Sequence, residues 1–168
     1  MTNKVALTLN VNGRDHAMRV EPRRTLVDAI RDECGQTGTH IGCEHGVCGA
    51  CTVLVDGEPV RSCLVLAVQV DGAQVTTVEG LARDDGRGGQ ALHPVQEAFR
   101  ECHALQCSFC TPGFLMTIAA GLGGRDAAEE ITEAEVDDLV GGNLCRCTGY
   151  ANIKKAVRHA AAAMGDPR

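Results

Sequence analysis

Four cysteines constrain this chain more than any other feature. Cys43, Cys48 and Cys51 stand at the spacing C-x4-C-x2-C, and Cys63 follows after the next turn. That is the ligand spacing of a plant-type [2Fe–2S] cluster. A short loop can wrap a compact inorganic core and aim three sulfurs inward, while a neighbouring segment brings the fourth. Gly46 and Gly49 lie inside the loop, where the backbone must take unusual angles and come close to the core. Backbone N–H groups of such a loop can point at sulfur and offset its negative charge.

The flanking segments read as strands. Val5, Leu7, Leu9 and Val11 fall on alternate positions, the period of a strand with one buried face. Asn12-Gly13 is a hairpin turn that needs positive φ. Residues 14–20 return with His16, Met18 and Val20 alternating, and His16 reads as an ordinary strand side chain. Thr25 opens a helix with Asp28 as its capping partner, and Leu26, Ala29 and Ile30 form its apolar stripe. After the loop, residues 51–55 form a strand, Asp56-Gly57 a turn, residues 64–70 a helical turn or two, and residues 74–78 a last strand. This order is that of a ferredoxin-like β-grasp over residues 1–79.

Residues 80–91 are polar and glycine-rich and read as an exposed linker. Beyond them the period becomes helical, over residues 92–168. Pro94 starts a helix with Val95, Ala98, Phe99 and Cys102 on one face. Thr111-Pro112 reads as an N-cap followed by proline at the first helical position. The helix over 111–122 is so apolar that it calls for a partner. Thr132 and Glu135 form a capping box, and a last helix runs over 150–164. Four short-linked helices make a small bundle. Its alanines give little apolar area, so alone it would be marginal. The fold class is therefore α+β: a plant-type ferredoxin domain, then a four-helix bundle.

The helical half has its own thiols. Cys107 and Cys110 stand just before one helix, Cys145 and Cys147 just before another. The positive end of a helix stabilises thiolate, and two such pairs side by side make a four-sulfur site. By spacing alone this site suits zinc as well as a second [2Fe–2S] cluster. A thioredoxin-like redox pair lacks its βαβ context.

Composition narrows the function. Ten cysteines in 168 residues suggest disulfides in a secreted chain, but no signal peptide is found. Arg23-Arg24 imitates an export signal, yet Asp28, Arg31, Asp32 and Glu33 fill the place of its apolar region. No run approaches a membrane span, so the expectation is a cytoplasmic chain whose thiols hold metal. A net charge of −6 argues against nucleic acid. Aromatics are scarce, with no Trp, one Tyr and three Phe, so buried cofactors are expected to supply bulk.

Four strings carry a resemblance. They are Thr37-Gly38-Thr39-His40-Ile41-Gly42-Cys43, Cys48-Gly49-Ala50-Cys51-Thr52, Gln106-Cys107-Ser108-Phe109-Cys110-Thr111-Pro112-Gly113 and Gly142-Asn143-Leu144-Cys145-Arg146-Cys147-Thr148-Gly149-Tyr150. The chain resembles the iron–sulfur subunit of the molybdenum hydroxylases, the xanthine oxidase family, along nearly its whole length. The resemblance implies that Cys43, Cys48, Cys51 and Cys63 hold a cluster nearer a flavin. It implies that Cys107, Cys110, Cys145 and Cys147 hold one nearer molybdenum. It places Gln106 against the molybdenum-pterin cofactor and Cys147 within hydrogen-bond reach of the pterin's amino group. Molybdenum then sits on a large subunit and FAD on a medium one, in a dimer of heterotrimers. This chain relays electrons between them and carries no catalytic residue.

Some positions depart from the family. Cys34 and Cys102 read as buried, unligated thiols. Ser108 stands where glycine is commoner and Phe114 where methionine is commoner. Residues 121–131 read as a surface loop. His45 invites a Rieske reading, which needs two histidines in place of two cysteines, whereas all four cysteines are present. Arg146 is a charge partner for the cluster or a plain surface ion pair. The alternatives in function are a free-standing two-cluster carrier and a zinc-stabilised interaction module. The substrate lies outside the chain; His103-Ala104-Leu105-Gln106 resembles the branches that oxidise N-heterocycles and carbon monoxide.

Overall fold

The computed structural model describes residues 3–84, 86, 89–125 and 130–164. Parts of the predicted linker (85, 87 and 88) and of the predicted loop over 121–131 (126–129) lie outside the described residues.

The hairpin signal at Asn12-Gly13 sets the first pairing. Strands β1 (Val5–Val11) and β2 (Arg14–Val20) run antiparallel, with Val5 opposite Val20 and Val11 opposite Arg14. Asn12 and Gly13 take φ of 53° and 80°, as the tight turn requires. Asn12 does more than turn the chain. Its Oδ1 accepts from Thr77 N–H at 2.9 Å, and its Nδ2 donates to Thr77 Oγ1 at 2.9 Å.

Helix α1 (Leu26–Asp28) is capped by Thr25, whose hydroxyl accepts from Asp28 N–H, and widens into a π turn over Ala29–Glu33. Strands β3 (Thr52–Val55) and β4 (Glu58–Arg61) form a second hairpin about Asp56-Gly57. Strand β5 (Gln74–Thr76) pairs parallel with β1 and antiparallel with β3, giving the sheet order β2-β1-β5-β3-β4. The last strand is shorter than the sequence implies, because Val78–Gly80 turns into a 3-10 helix. One face of the sheet buries Leu7, Leu9, Val11, Val53 and Val75 against Leu26, Ala29 and Ile30.

The predicted linker is not bare coil. Arg83–Asp84 (β6) and Gln90–Ala91 (β7) pair antiparallel, and Leu81 is buried in the helical core. Helices α2 (Pro94–Glu101), α3 (Thr111–Leu122), α4 (Glu133–Gly141) and α5 (Ala151–Met164) follow. His93 caps α2 through its ring nitrogen, a role its sequence position did not advertise. The Thr132–Glu135 capping box forms as read. At α3 the cap is Cys110, one residue earlier than read, and Thr111 is already helical.

Helix α3 is apolar all round because the chain itself covers it on both sides. It lies across β3 and β4 and packs against α2, α4 and α5. Successive residues of a strand face opposite ways, so β3 serves two cores. Val53 joins the sheet core, and Leu54 packs against the helical core. The apolarity of α3 therefore needs no external partner, which corrects the sequence reading. Nor is the helical core thin. Phe99 and Phe114 are fully buried with ring centroids 6.5 Å apart, and Tyr150 meets Phe114 edge-on at 6.3 Å.

Phe114→Ala should cost about 3–5 kcal/mol, the range for emptying a buried aromatic site. Denaturant unfolding followed by far-UV circular dichroism measures it, and a change below about 1 kcal/mol would mean the helical core does not rest on this ring.

Candidate metal centres

The first four thiols gather where the loop over 43–51 passes the end of β4. Cys51 and Cys63 are buried against Val27 and Ile41, and Cys43 and Cys48 are half-buried. Gly46 and Gly49 take φ of 76° and 75°, and Glu44 takes 55°. This backbone aims N–H groups at sulfur: His45 N–H and Cys48 N–H each donate to Cys43 Sγ at 3.4 Å. His45 thus acts through its main chain. Its exposed ring turns back on the Cys43 carbonyl.

Those donors fix the charge of the set. The N–H of Cys48, then that of His45, lower the Cys43 thiol to about 6. Burial, then the side chain of Cys51, push Cys63 up to about 11. Burial also raises Cys48. Thiols this close cannot all ionise unless a cation stands among them.

The second set gathers between α3 and the turn before α5. Cys107 and Cys147 are exposed, with their sulfurs 3.6 Å apart, and Cys110 and Cys145 lie half-buried behind them. Burial, then the neighbouring Cys145 side chain, raise Cys110 to about 12. At Cys145 burial pushes upward but is outweighed. Thr148 donates to its Sγ from the hydroxyl at 3.1 Å and from N–H at 3.4 Å, and the thiol is lowered. The donor here is the Thr148 turn and not the free end of α5, since Cys147 precedes Ala151 by a full turn. Ser108 sits at φ 67°, in the left-handed region that glycine enters most readily.

The two sets are joined by direct bonds. Leu144 N–H donates to Cys48 C=O at 2.9 Å. Asn143 Nδ2, fully buried, donates to Gly49 C=O at 3.0 Å. Arg61 donates to Gly142 C=O and to Thr52 Oγ1. His40 stacks on Phe109 at 4.8 Å, and its Nδ1 lies 2.8 Å from Phe109 C=O. The fit is tight enough to exclude side chains. A Cβ on Gly113 would stand 2.2 Å from Gly49 O, and one on Gly49 would stand 2.5 Å from Asn143 Nδ2.

Four other expectations find their places. Gln106 is exposed beside Cys107. Cys34 lies in the sheet core, raised to about 11 by burial and then by the charge of Glu33. Cys102 lies in the helical core. Arg146 is exposed and has no ion-pair partner among the described residues. Sequence reasoning missed Arg61, Asn143, Thr148 and Tyr150 as working residues. The last three stood inside a quoted motif with no role attached. Tyr150 OH accepts Cys145 N–H at 2.9 Å and donates to Asn143 C=O, holding the turn that carries Cys145.

Two family models match the chain: a 2Fe-2S iron-sulfur cluster binding domain over residues 9–87 and a [2Fe-2S] binding domain over residues 77–158. The chain is 53% identical to the 6-hydroxypseudooxynicotine dehydrogenase complex subunit beta of Paenarthrobacter nicotinovorans, over 92% of each chain. It is 51% identical to the caffeine dehydrogenase subunit gamma of Pseudomonas sp. (strain CBB1), over 90% of this chain and 88% of the other. Among solved structures it superposes on quinoline 2-oxidoreductase from Pseudomonas putida 86 with a TM-score of 0.85 and 45% identity, covering 96% of both chains.

In the iron-free chain, thiolate-directed alkylation should reach Cys43 as pH rises through about 6 and should spare Cys63 and Cys110 until about pH 11–12. A lowered thiol pKa leaves the reactive form populated above that value, and a raised one withholds it. Peptide mass mapping of labelling against pH reads this, and equal labelling of Cys43 and Cys63 at pH 7 would contradict it.

Proposed function

The chain belongs to the iron–sulfur small subunits of the molybdenum hydroxylases, the xanthine oxidase family, and we propose that its eight clustered cysteines ligate its two [2Fe–2S] groups. Cys43, Cys48, Cys51 and Cys63 take one group, and Cys107, Cys110, Cys145 and Cys147 take the other. The chain is an electron-transfer subunit of a multi-subunit oxidoreductase. When bound, the two groups supply one-electron carriers between a substrate-oxidising centre and a flavin. The chain's own residues hold and space them.

The observation that carries this reading is the pairing of thiols. Cys43 lies with Cys48 and Cys51 with Cys63, and likewise Cys107 with Cys147 and Cys110 with Cys145. Each pair suits one iron, and two pairs suit a two-iron core. All ten cysteines are free, which also suits a reducing cytoplasm, where we place the complex. No helix among the described residues is long and apolar enough to cross a membrane.

We assign residues 1–79 to a plant-type ferredoxin β-grasp domain, 80–91 to a linker and 92–168 to a helical-bundle [2Fe–2S] domain. Partners follow from the surface. Leu105, Phe109 and Leu144 stand exposed by the second thiol set, and Val47 and Leu64 by the first. Exposed apolar side chains ringing a redox site suit burial by another subunit. We infer a large molybdenum-pterin subunit over the first of these faces, with Gln106 and Cys147 toward the pterin, and a medium FAD subunit over the other. The whole is then a dimer of heterotrimers. The relatives are named for caffeine, a nicotine derivative and quinoline; we extend their common class, an N-heteroaromatic substrate, to this enzyme.

The complex purified from its native host should contain iron, molybdenum and FAD, with iron at four times molybdenum. Cys→Ser at any of the eight positions should halve the iron and abolish one of two electron paramagnetic resonance (EPR) signals. Full iron without molybdenum or flavin would favour a free-standing carrier.

A further inference from the structure

Asn143 is a buried polar residue with no part in ligation, yet every polar group it carries is engaged. Its Nδ2 donates to Gly49 C=O at 3.0 Å, and its Oδ1 accepts from the Thr117 hydroxyl at 3.0 Å. Its N–H donates to Val140 C=O at 3.2 Å, and its C=O accepts from Tyr150 OH at 3.4 Å. It is 1% exposed. Its side chain therefore ties the loop of the first thiol set to helix α3, while its main chain ties both to the turn of the second.

The next residue is what this arrangement positions. Leu144 N–H donates to Cys48 C=O at 2.9 Å. Leu144 is bonded to Cys145, and Cys48 and Cys145 belong to different thiol sets. From Cys145 Sγ to Cys48 Sγ the way runs along covalent bonds with this one hydrogen bond as its only gap. The other links between the sets are less direct: His40 with Phe109 reaches Cys43 only through two further residues, and Asn143 with Gly49 and Arg61 with Gly142 start and end outside the cysteines. Leu144 N–H has no side chain of its own to aim it. Its direction is that of its peptide plane, which it shares with the Asn143 C=O, so it is set by the buried Asn143 side chain and by Tyr150 OH, which bonds the main chain on both sides.

We propose that Asn143 is a positioning residue for electron transfer between the two clusters, holding the Leu144 N–H against the Cys48 carbonyl. The proposal rests on the two-cluster reading above. With both groups bound, Cys107, Cys110, Cys145 and Cys147 would hold the electron donor and Cys43, Cys48, Cys51 and Cys63 the acceptor, so that one electron lost by the first would be gained by the second, with no bond broken and no proton moved. Only the distance and the bonded path matter, and those are what Asn143 sets.

The test uses the whole complex carrying Asn143→Ala, with five readouts: iron content, the EPR signal of each reduced cluster, the magnetic splitting between them, stopped-flow reduction of each cluster, and hydrogen exchange in the peptide spanning residues 142–148. Iron and the individual signals should stay at wild-type levels. Exchange at Leu144 should rise about tenfold, the ratio expected when one hydrogen bond of ordinary strength is loosened. The splitting should weaken, and stopped-flow reduction should show the first-set cluster lagging the second. Thr117→Val, which frees Asn143 Oδ1 without cutting Asn143, should shift the same readouts by less. Faster exchange with splitting and lag at wild-type values, in Asn143→Ala or in Thr117→Val, would overturn the proposal. So would Thr117→Val matching wild type in every readout while Asn143→Ala fails to assemble. A wild-type complex with iron at one thiol set only would instead sink the two-cluster reading.

Discussion

The structure depends on one close approach, that of the Gly49 carbonyl to the first turn of α3. Gly113 presents no Cβ there, and a Cβ would stand 2.2 Å from that oxygen. The same oxygen accepts from Asn143 Nδ2, from Thr52 Oγ1 at 2.6 Å and from Thr52 N–H at 3.1 Å. A sheet half and a helical half with separate cores meet at this point. Burying a carbonyl without partners costs about 1–3 kcal/mol, and three converging donors offset that cost. Remove any one and the remaining two must still hold the loop in register.

That approach explains why the two thiol sets can be near each other and yet remain distinct. Each set works against itself electrostatically until a cation is present, since burial raises Cys63 and Cys110 while N–H and hydroxyl donors lower Cys43 and Cys145. Lowered and raised thiols lie side by side in both sets. Each set thus places a thiol that loses its proton readily beside one that keeps it, and only a bound cation would let all four ionise together. The donors differ because the backbone differs. A loop with positive φ at three residues supplies main-chain N–H groups to Cys43, whereas a turn ending at Tyr150 supplies a threonine hydroxyl to Cys145.

Much of this was legible in the sequence, and what was not shares one cause. The hairpins at Asn12-Gly13 and Asp56-Gly57, the caps at Thr25 and Thr132 and the thiol spacing are local patterns, and local physics sets them. The role of α3 was misread because its apolar surface looked unsatisfied when taken by itself. Leu54, pointing away from the sheet core, supplies the cover. Likewise Leu81 is buried in a stretch whose composition says linker. Asn143, Arg61 and His40 act across distances of 69 to 94 residues along the chain. No window on the sequence spans such a pair. Only the motif strings hinted at two of them, by containing a polar residue whose use was not apparent.

The distribution of aromatics follows from the same division of labour. The sheet core contains no ring, and its Leu, Val and Ile pack against a short helix. Two of the three phenylalanines and the sole tyrosine instead meet in the helical half. That half also carries Cys145 and Cys147 in irregular chain before α5, with no strand ladder to brace them. Tyr150 joins core and turn. Its ring packs edge-on against Phe114, and its hydroxyl bonds the main chain on both sides of Leu144, at Asn143 C=O and Cys145 N–H. Core packing is thereby transmitted to a backbone segment that has no regular secondary structure. The turn of the second thiol set is thus tied to the aromatic core beneath it as well as within itself.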